Sequence, residues 1–425
     1  MEISSGSTRI NWIMSRSMLN DARAICLNAI ASCLPEEGVK KALKDLNIQK
    51  EVCLVSVGKA AFSMAKAASE VLKIKDGVLI SKYGHIPYEL DGIRSFEAGH
   101  PVLDENSIRA TEEAIRLCSD LGEDDIVVFL LSGGASALFE SPIVDLHELQ
   151  DLNEQMLRKG LSIFEINTIR KKLSKVKGGR FADLCAPAKV YSIILSDVLF
   201  DRLDTIGSGP TVKDESDPDE ALSLIDEYGI VISDYTREKI KEVKSAQAFN
   251  AENIVIGSVR ILCKKAMEEA KKLGYDPIMI DDHIDIEARD AGDLLYQEIL
   301  RCKGNDENIA LIMGGETIVH VKGRGKGGRN QELVFSQIEN LRGMDDVLIM
   351  SVGSDGTDGP TDAAGGYIDG SSYEKLIRQD LDPFEILDDN NCYYGLQMID
   401  SLIVTGPTGT NVNDITIALI RKGES

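Results

Sequence analysis

Short apolar, β-branched runs alternate with stretches of helical periodicity along the whole chain. The runs are Val52–Val57, Gly77–Ser81, Ile126–Leu131, Val190–Leu195, Ile254–Ile256, Pro277–Ile280, Ala310–Met313, Val347–Val352 and Leu402–Thr405. They are continuously apolar, as strands buried on both faces are. Helical patterns follow them, such as GKAAFSMAKAASEVLK after the first and CKKAMEEAKKLG after Ile254–Ile256. This order predicts an α/β fold with a mainly parallel sheet. Gly315–Gly323 (GETIVHVKG) alternates and directly follows a strand, so an antiparallel hairpin arm and a mixed second sheet are expected. The polar segments Asp214–Glu220 and Ser245–Asn253 bracket the expected join, dividing the chain into domains 1–245 and 246–425. Helices at Asn20–Cys33 and Glu36–Leu46 are expected to cap the first domain.

Composition narrows the function. Of 425 residues 47 are Lys or Arg and 70 are Asp or Glu, a net charge of −23. That charge argues against nucleic acid and anionic membranes as partners. It also directs attention to the few places where cations gather without acids. The longest apolar run, Ile126–Leu131, is far too short to span a bilayer, for which about 18 residues are needed. The start lacks a basic region followed by an apolar one, so no signal peptide is expected. The eight cysteines contain no C-x-x-C pair and most lie in apolar runs. They are expected to be buried free thiols of a cytoplasmic protein.

Strand after strand ends in small polar residues: SVGKAA, LLSGGASA, ILSDVLFD, IMGGET, SVGSDGTDGPTDAAGG and VTGPTGTN. In α/β sheets ligands bind beyond the carboxyl ends of strands, so six such ends predict one large polar cleft. Lys59 in VGKAA stands at a strand-to-helix turn, where an anion is favoured and a cation is not, unless an anion joins it. Ser132, Gly133, Gly134 and Ser136 have the composition of an anion nest. Arg170, Lys171, Lys172, Lys175, Lys177 and Arg180 form an acid-free cluster best explained as a solvated helix face. A second cluster, Lys322, Arg324, Lys326 and Arg329, lies in GRGKGGRNQE, where a glycine-rich loop opens a helix and can wrap a polyphosphate. Asn330 follows in that loop as a further phosphate-binding candidate. Asp197, Glu316 and Asp355 close strands, and Asp358 and Asp362 follow the last of these. Such carboxylates suit Mg²⁺ held partly by substrate phosphates. His100 in GHPVLD is expected to be a structural loop residue.

These stretches, with EINTIRKKLSKVKGGR, GSGPT, GGET and TGPTGTNVND, resemble the MOFRL-type glycerate kinases, a class that also contains bacterial enzymes once labelled hydroxypyruvate reductases. The similarity runs from residue 52 to 414 and is greatest to the archaeal 2-kinases. It implies a Rossmann-like N-terminal domain, a smaller mixed α/β domain and a cleft between them. It also implies transfer of a phosphoryl group from ATP to D-glycerate with a divalent metal, at the 2-hydroxyl or alternatively the 3-hydroxyl. Lys59 and Arg329 match the family's active-site positions. The roles assigned are then Lys59 and the SGGAS turn for glycerate and the γ-phosphoryl, Arg329 and Lys326 for the triphosphate, Asp355 with Glu316 for Mg²⁺, and Asp197 for the attacking hydroxyl. The rivals are a hydroxypyruvate-reducing oxidoreductase, disfavoured because no dinucleotide fingerprint follows a strand, and a non-catalytic anion-binding module. The oligomeric state is left open.

Overall fold

The computed structural model describes residues 17–246 and 250–422. Two six-stranded sheets organise them. The first contains β1 (Val52–Val57), β2 (Ile74–Lys82), β3 (Ile93–Ala98), β4 (Ile126–Leu131), β5 (Lys189–Leu195) and β6 (Asn250–Gly257). Their order is β3-β2-β1-β4-β5-β6, and every pair is parallel. All six residues of β1 are buried, as are five of the six in β4, which is why these runs carry no polar alternation. The winding reverses between β1 and β4. The turns after these two strands therefore flank the crevice where open α/β sheets receive ligands.

The second sheet contains β7 (Asp276–Ile284), β8 (Ile309–Gly315), β9 (Val347–Gly353), β10 (Gly365–Asp369), β11 (Leu402–Ile403) and β12 (Asp414–Ile420), in the order β11-β10-β9-β12-β8-β7. β12 lies antiparallel between β8 and β9, while β7 and β8 are parallel. The sheet is mixed as expected, but through β12. Of the segment expected as a hairpin arm, 315–323, Gly315 ends β8, and the rest makes only an isolated bridge between Glu287 and Ile318. Both edges of β8 are already taken by β7 and β12, so no ladder is open to it.

Two further expectations are corrected. β6 pairs with β5, so the first sheet extends to Gly257 and a join at 245/246 falls one strand early. The helix Met18–Ala31 packs on the helix Val259–Lys272 beside the second sheet, where Asp21 accepts a hydrogen bond from Tyr275 (3.0 Å). Only the helix Pro35–Leu46 packs on the first domain, against the helix Ala61–Ser69 and β6. One apolar cluster includes Ile25, Leu54, Leu130, Leu262, Ile312 and Ile417, so the two sheets share a core. The eight cysteines are free, and all but Cys302 are buried. No helix among the described residues is long and apolar enough to cross a membrane.

Candidate active site

At the winding reversal the turns after β1 and β4 are tied together. The Lys59 N–H donates to Gly133 O (2.9 Å), and the Ser132 N–H donates to Val57 O (2.9 Å). The Ser132 hydroxyl accepts from the Ala60 N–H (3.1 Å) and donates to Val57 O (3.2 Å). Ser132 is thus a buried strut between turns, not a free donor for an anion as expected. Gly58, at φ +121°, is required here, since a Cβ would stand 2.2 Å from the Ser132 Oγ. What the two turns leave to solvent is the Lys59 side chain, which is exposed, and half-buried Gly133, Gly134 and Ser136.

Asp197, beyond β5, packs onto this turn: a Cβ on Gly133 would lie 2.1 Å from its Oδ2. Burial raises the Asp197 pKa, Lys59 lowers it and Glu316 raises it. The last contribution comes from the second domain, so the two halves of the site face each other. His100, expected to be structural, also borders the site. A Cβ on Gly134 would meet its ring at 3.0 Å and Lys59 Cγ at 3.4 Å. Burial, then Lys59, Lys82 and His85, depress the His100 pKa, favouring the neutral ring.

From the second domain comes Arg329, first residue of the helix Arg329–Ser336. Its guanidinium grips Asp414 with two bonds, from Nε to Oδ2 (2.5 Å) and from Nη2 to Oδ1 (3.2 Å), and reaches Glu316 through Nη1 (2.8 Å). Three of its five N–H donors are spent in this way, which leaves two. Asn413 donates to the other oxygen of Glu316 (3.1 Å). Glu316, expected as a metal ligand, therefore has both oxygens engaged in holding Arg329 and Asn413. Burial pushes the Asp414 pKa up to about 6 against the pull of Arg329, whose own pKa is raised by its acidic partners despite desolvation.

The glycine-rich loop differs most from expectation. Five successive backbone N–H groups, from Lys322 to Lys326, are bonded to Asp389, Asn390 and Asn391. A Cβ on Gly323 would sit 2.3 Å from the Asp389 backbone, so that glycine serves loop docking. Lys326 lies over the Tyr393 ring, 4.8 Å from its centroid. The helix N-terminus is already occupied: Asp358 accepts from the backbone of Asn330 (3.1 Å) and Gln331 (2.9 Å). Asn330 is buried, and its side chain bonds to Asp358 and Ser351. It is a structural residue of this network rather than a phosphate ligand. The loop offers a triphosphate its side chains, not a backbone cradle.

The acids after β9 have separate roles. Asp355 Oδ1 takes the Thr357 N–H (2.8 Å) and hydroxyl (2.9 Å), which fixes the carboxylate and leaves Oδ2. Asp362 accepts from Tyr393 (2.7 Å). Asp355 suits a divalent cation bound through one protein oxygen and substrate phosphates. Among the described residues the only three metal-capable side chains grouped together are Asp281, Asp282 and His283, which include neither Asp355 nor Glu316. Between the domains lies a cavity of about 640 Å³, lined by Leu199, Ile318, Val321, Glu316, Arg329 and Gly328 among others. The basic cluster 170–180 is not a solvated face: Lys171, Lys172 and Lys177 are at most 6% exposed.

Asp414 and Asn413 were missed in the sequence. Their only signal was an acid standing immediately before the apolar run ITIALI.

Residues 21–243 match a family model described as a domain of unknown function (DUF4147), and residues 309–414 match the MOFRL family. A D-glycerate 2-kinase from Thermotoga maritima is 47% identical over 404 residues, 93% of this chain and 97% of that protein. A glycerate 2-kinase from Pyrococcus horikoshii is 39% identical over 89% of each. The crystal structure of a glycerate kinase from Thermotoga maritima superposes with a TM-score of 0.92, covering 95% of this chain and 99% of that one.

The Arg329–Asp414 grip makes a prediction. Carbon-13 NMR of labelled aspartates should show Asp414 titrating near pH 6, and Arg329→Gln should raise that midpoint, because the guanidinium is what lowers it. The two-bond grip is then intact above that pH and loosens as pH falls through it. A midpoint below 4 in the wild type would contradict the buried placement of Asp414.

Proposed function

The chain belongs to the MOFRL-type glycerate kinases, and on that footing we propose that it transfers the γ-phosphoryl group of ATP to the 2-hydroxyl of D-glycerate. The observation that carries the reading is a run of charges from one domain to the other: Asp197 feels Lys59 beside it and Glu316 from the opposite domain, and Glu316 in turn holds Arg329 (2.8 Å). Phosphoryl transfer asks mainly for positioning and charge neutralisation, and these are what the two faces offer.

In this reading Lys59 and the half-buried Gly133–Ser136 turn receive the glycerate carboxylate and the incoming phosphoryl group. Asp197 orients the 2-hydroxyl and accepts its proton. Burial raises its pKa, which strengthens it as a base. The two remaining Arg329 donors and the Lys326 ammonium face the triphosphate. The apolar side of the cavity, at Leu199, Ile318 and Val321, takes the nucleoside. Asp355 would hold Mg²⁺, which when bound neutralises phosphate charge. The eight free cysteines fit a reducing, cytoplasmic setting.

The first sheet has the strand order of dinucleotide-binding folds, which by itself would invite an oxidoreductase. The β1 turn argues otherwise. It reads Gly58-Lys59-Ala60-Ala61, so a lysine and two alanines stand where a G-x-G-x-x-G turn would bring backbone against a pyrophosphate.

Incubation with ATP, Mg²⁺ and D-glycerate should form ADP. With enolase and pyruvate kinase added, pyruvate should appear without phosphoglycerate mutase. Pyruvate that appears only with mutase would assign the 3-hydroxyl. Hydroxypyruvate-dependent NADH oxidation without ADP formation would overturn the kinase reading.

Arg329→Lys should fail nearly as badly as Arg329→Ala. A lysine keeps the charge but cannot grip Asp414 with two bonds and still reach Glu316 and phosphate. The expected loss in kcat/KM is on the order of 10² to 10³. A lysine variant within about threefold of wild type, worth under about 0.7 kcal/mol, would reduce Arg329 to a bulk charge.

A further inference from the structure

The helix that follows the Ser132–Gly134 turn is a single turn, Ala135–Leu138. Isolated single turns do not hold themselves, because nucleation is costly. This one is held from behind. The Ser136 carbonyl accepts from both Arg170 Nη2 (3.2 Å) and Lys177 Nζ (3.1 Å). Lys177 also donates to Phe139 O (3.0 Å) and pairs with Glu140 (3.3 Å). Lys177 is fully buried and Glu140 is 1% exposed.

This arrangement costs a great deal for a helix cap. A buried ion pair carries a desolvation penalty of several kcal/mol per ion, whereas a glycine or water could satisfy the same carbonyls. The neighbourhood is also short of acid. Arg170, Lys171, Lys172, Lys177 and Arg180 face buried Glu140 and Asp214, with Asp183 and Asp204 at the rim. Both Nη atoms of Arg180 and the Nε of Arg170 are buried without a hydrogen-bond partner. Desolvation drags the Lys177 pKa down to about 8. A surplus of buried positive charge therefore stands behind a turn whose other side meets Asp197 and Lys59.

We propose that Arg170 and Lys177 are positioning residues: by drawing back the Ser136 carbonyl they fix the Gly133–Ser136 turn against Asp197 and favour an anion on its open side. The inference rests on the reading of that turn as the glycerate site. The two effects are separable from nucleotide binding, because Arg329, Asp355 and, Leu199 apart, the lining of the cavity belong to the second domain.

The experiment uses the full chain and first establishes ADP formation by the wild type. Failure there would count against the kinase reading, not against the positioning roles. Two kinds of variant follow. Lys177→Met with Glu140→Gln removes the cation and its acid together, leaving no orphaned carboxylate. Arg170→Met is compared with Arg170→Lys, which can still donate to the Ser136 carbonyl. Folding is checked by thermal melt. A folded double variant and Arg170→Met should each lose at least tenfold in kcat/KM for glycerate, while KM for ATP stays within twofold. Arg170→Lys should recover to within threefold of wild type. The proposal is overturned if the folded double variant stays within twofold of wild type, if KM for ATP rises as much as kcat/KM for glycerate falls, or if Arg170→Lys is as damaged as Arg170→Met. Should the double variant not fold, the Arg170 pair decides.

Discussion

One guanidinium organises the second half of the site. Arg329 is held by Asp414 at the start of β12 and by Glu316 just after β8, while Asn413 steadies Glu316. In a chain of net charge −23 an arginine beside a cleft will be neutralised by acids of the protein. Here that neutralisation is geometric. Both Asp414 oxygens and one of Glu316 fix the plane of the fork, so the two remaining donors are aimed without a further entropy cost on binding. Asp358 does the corresponding work at the next two residues, accepting from the backbone of Asn330 and Gln331 and so capping the helix from which Arg329 projects.

The first domain solves the complementary problem. Its turns after β1 and β4 interlock through Ser132 and the Lys59 backbone, which leaves the Lys59 side chain exposed beside Asp197. Cations in this half are backed by a buried basic cluster. In the other half the principal cation is paired with acids. The cleft thus has a positively supported floor on one side and a pre-paired arginine on the other. That division suits one small anion and one polyphosphate better than two equal ligands.

The strands and the cleft were legible because both leave local marks. Continuous apolar runs mark the buried strands, and the Gly- and Ser-rich ends after β1, β4, β8 and β9 mark the mouth. Lys59 and Asp197 could be named because each stands just beyond a strand end, and Arg329 because it lies in a basic, glycine-rich loop that opens a helix. The misreadings concern partners distant in sequence. Nothing local to GRGKGGR announces that Asp389–Asn391 will take its backbone donors. Nothing local to Arg170–Arg180 shows that the carbonyls of Ser136 and Phe139, with Glu140 and Asp214, will bury those cations. Gly315–Gly323 alternates like a strand, but β8, the strand it would fold back on, is already paired on both sides by β7 and β12. Asp414 was passed over because its importance lies in β12 being inserted between β8 and β9, which is a property of topology alone.

The central claim is that one cleft, shared by both domains, gathers Lys59 and Asp197 with Arg329 around a single transferring phosphoryl group. A crystal structure with D-glycerate and a non-hydrolysable ATP analogue tests it most directly. The account predicts a triphosphate reaching from Arg329 toward Lys59, its terminal phosphate beside the glycerate 2-hydroxyl, and Asp197 within hydrogen-bond distance of that hydroxyl. A triphosphate bound away from Arg329, or a glycerate that does not touch the Gly133–Ser136 turn, would contradict it.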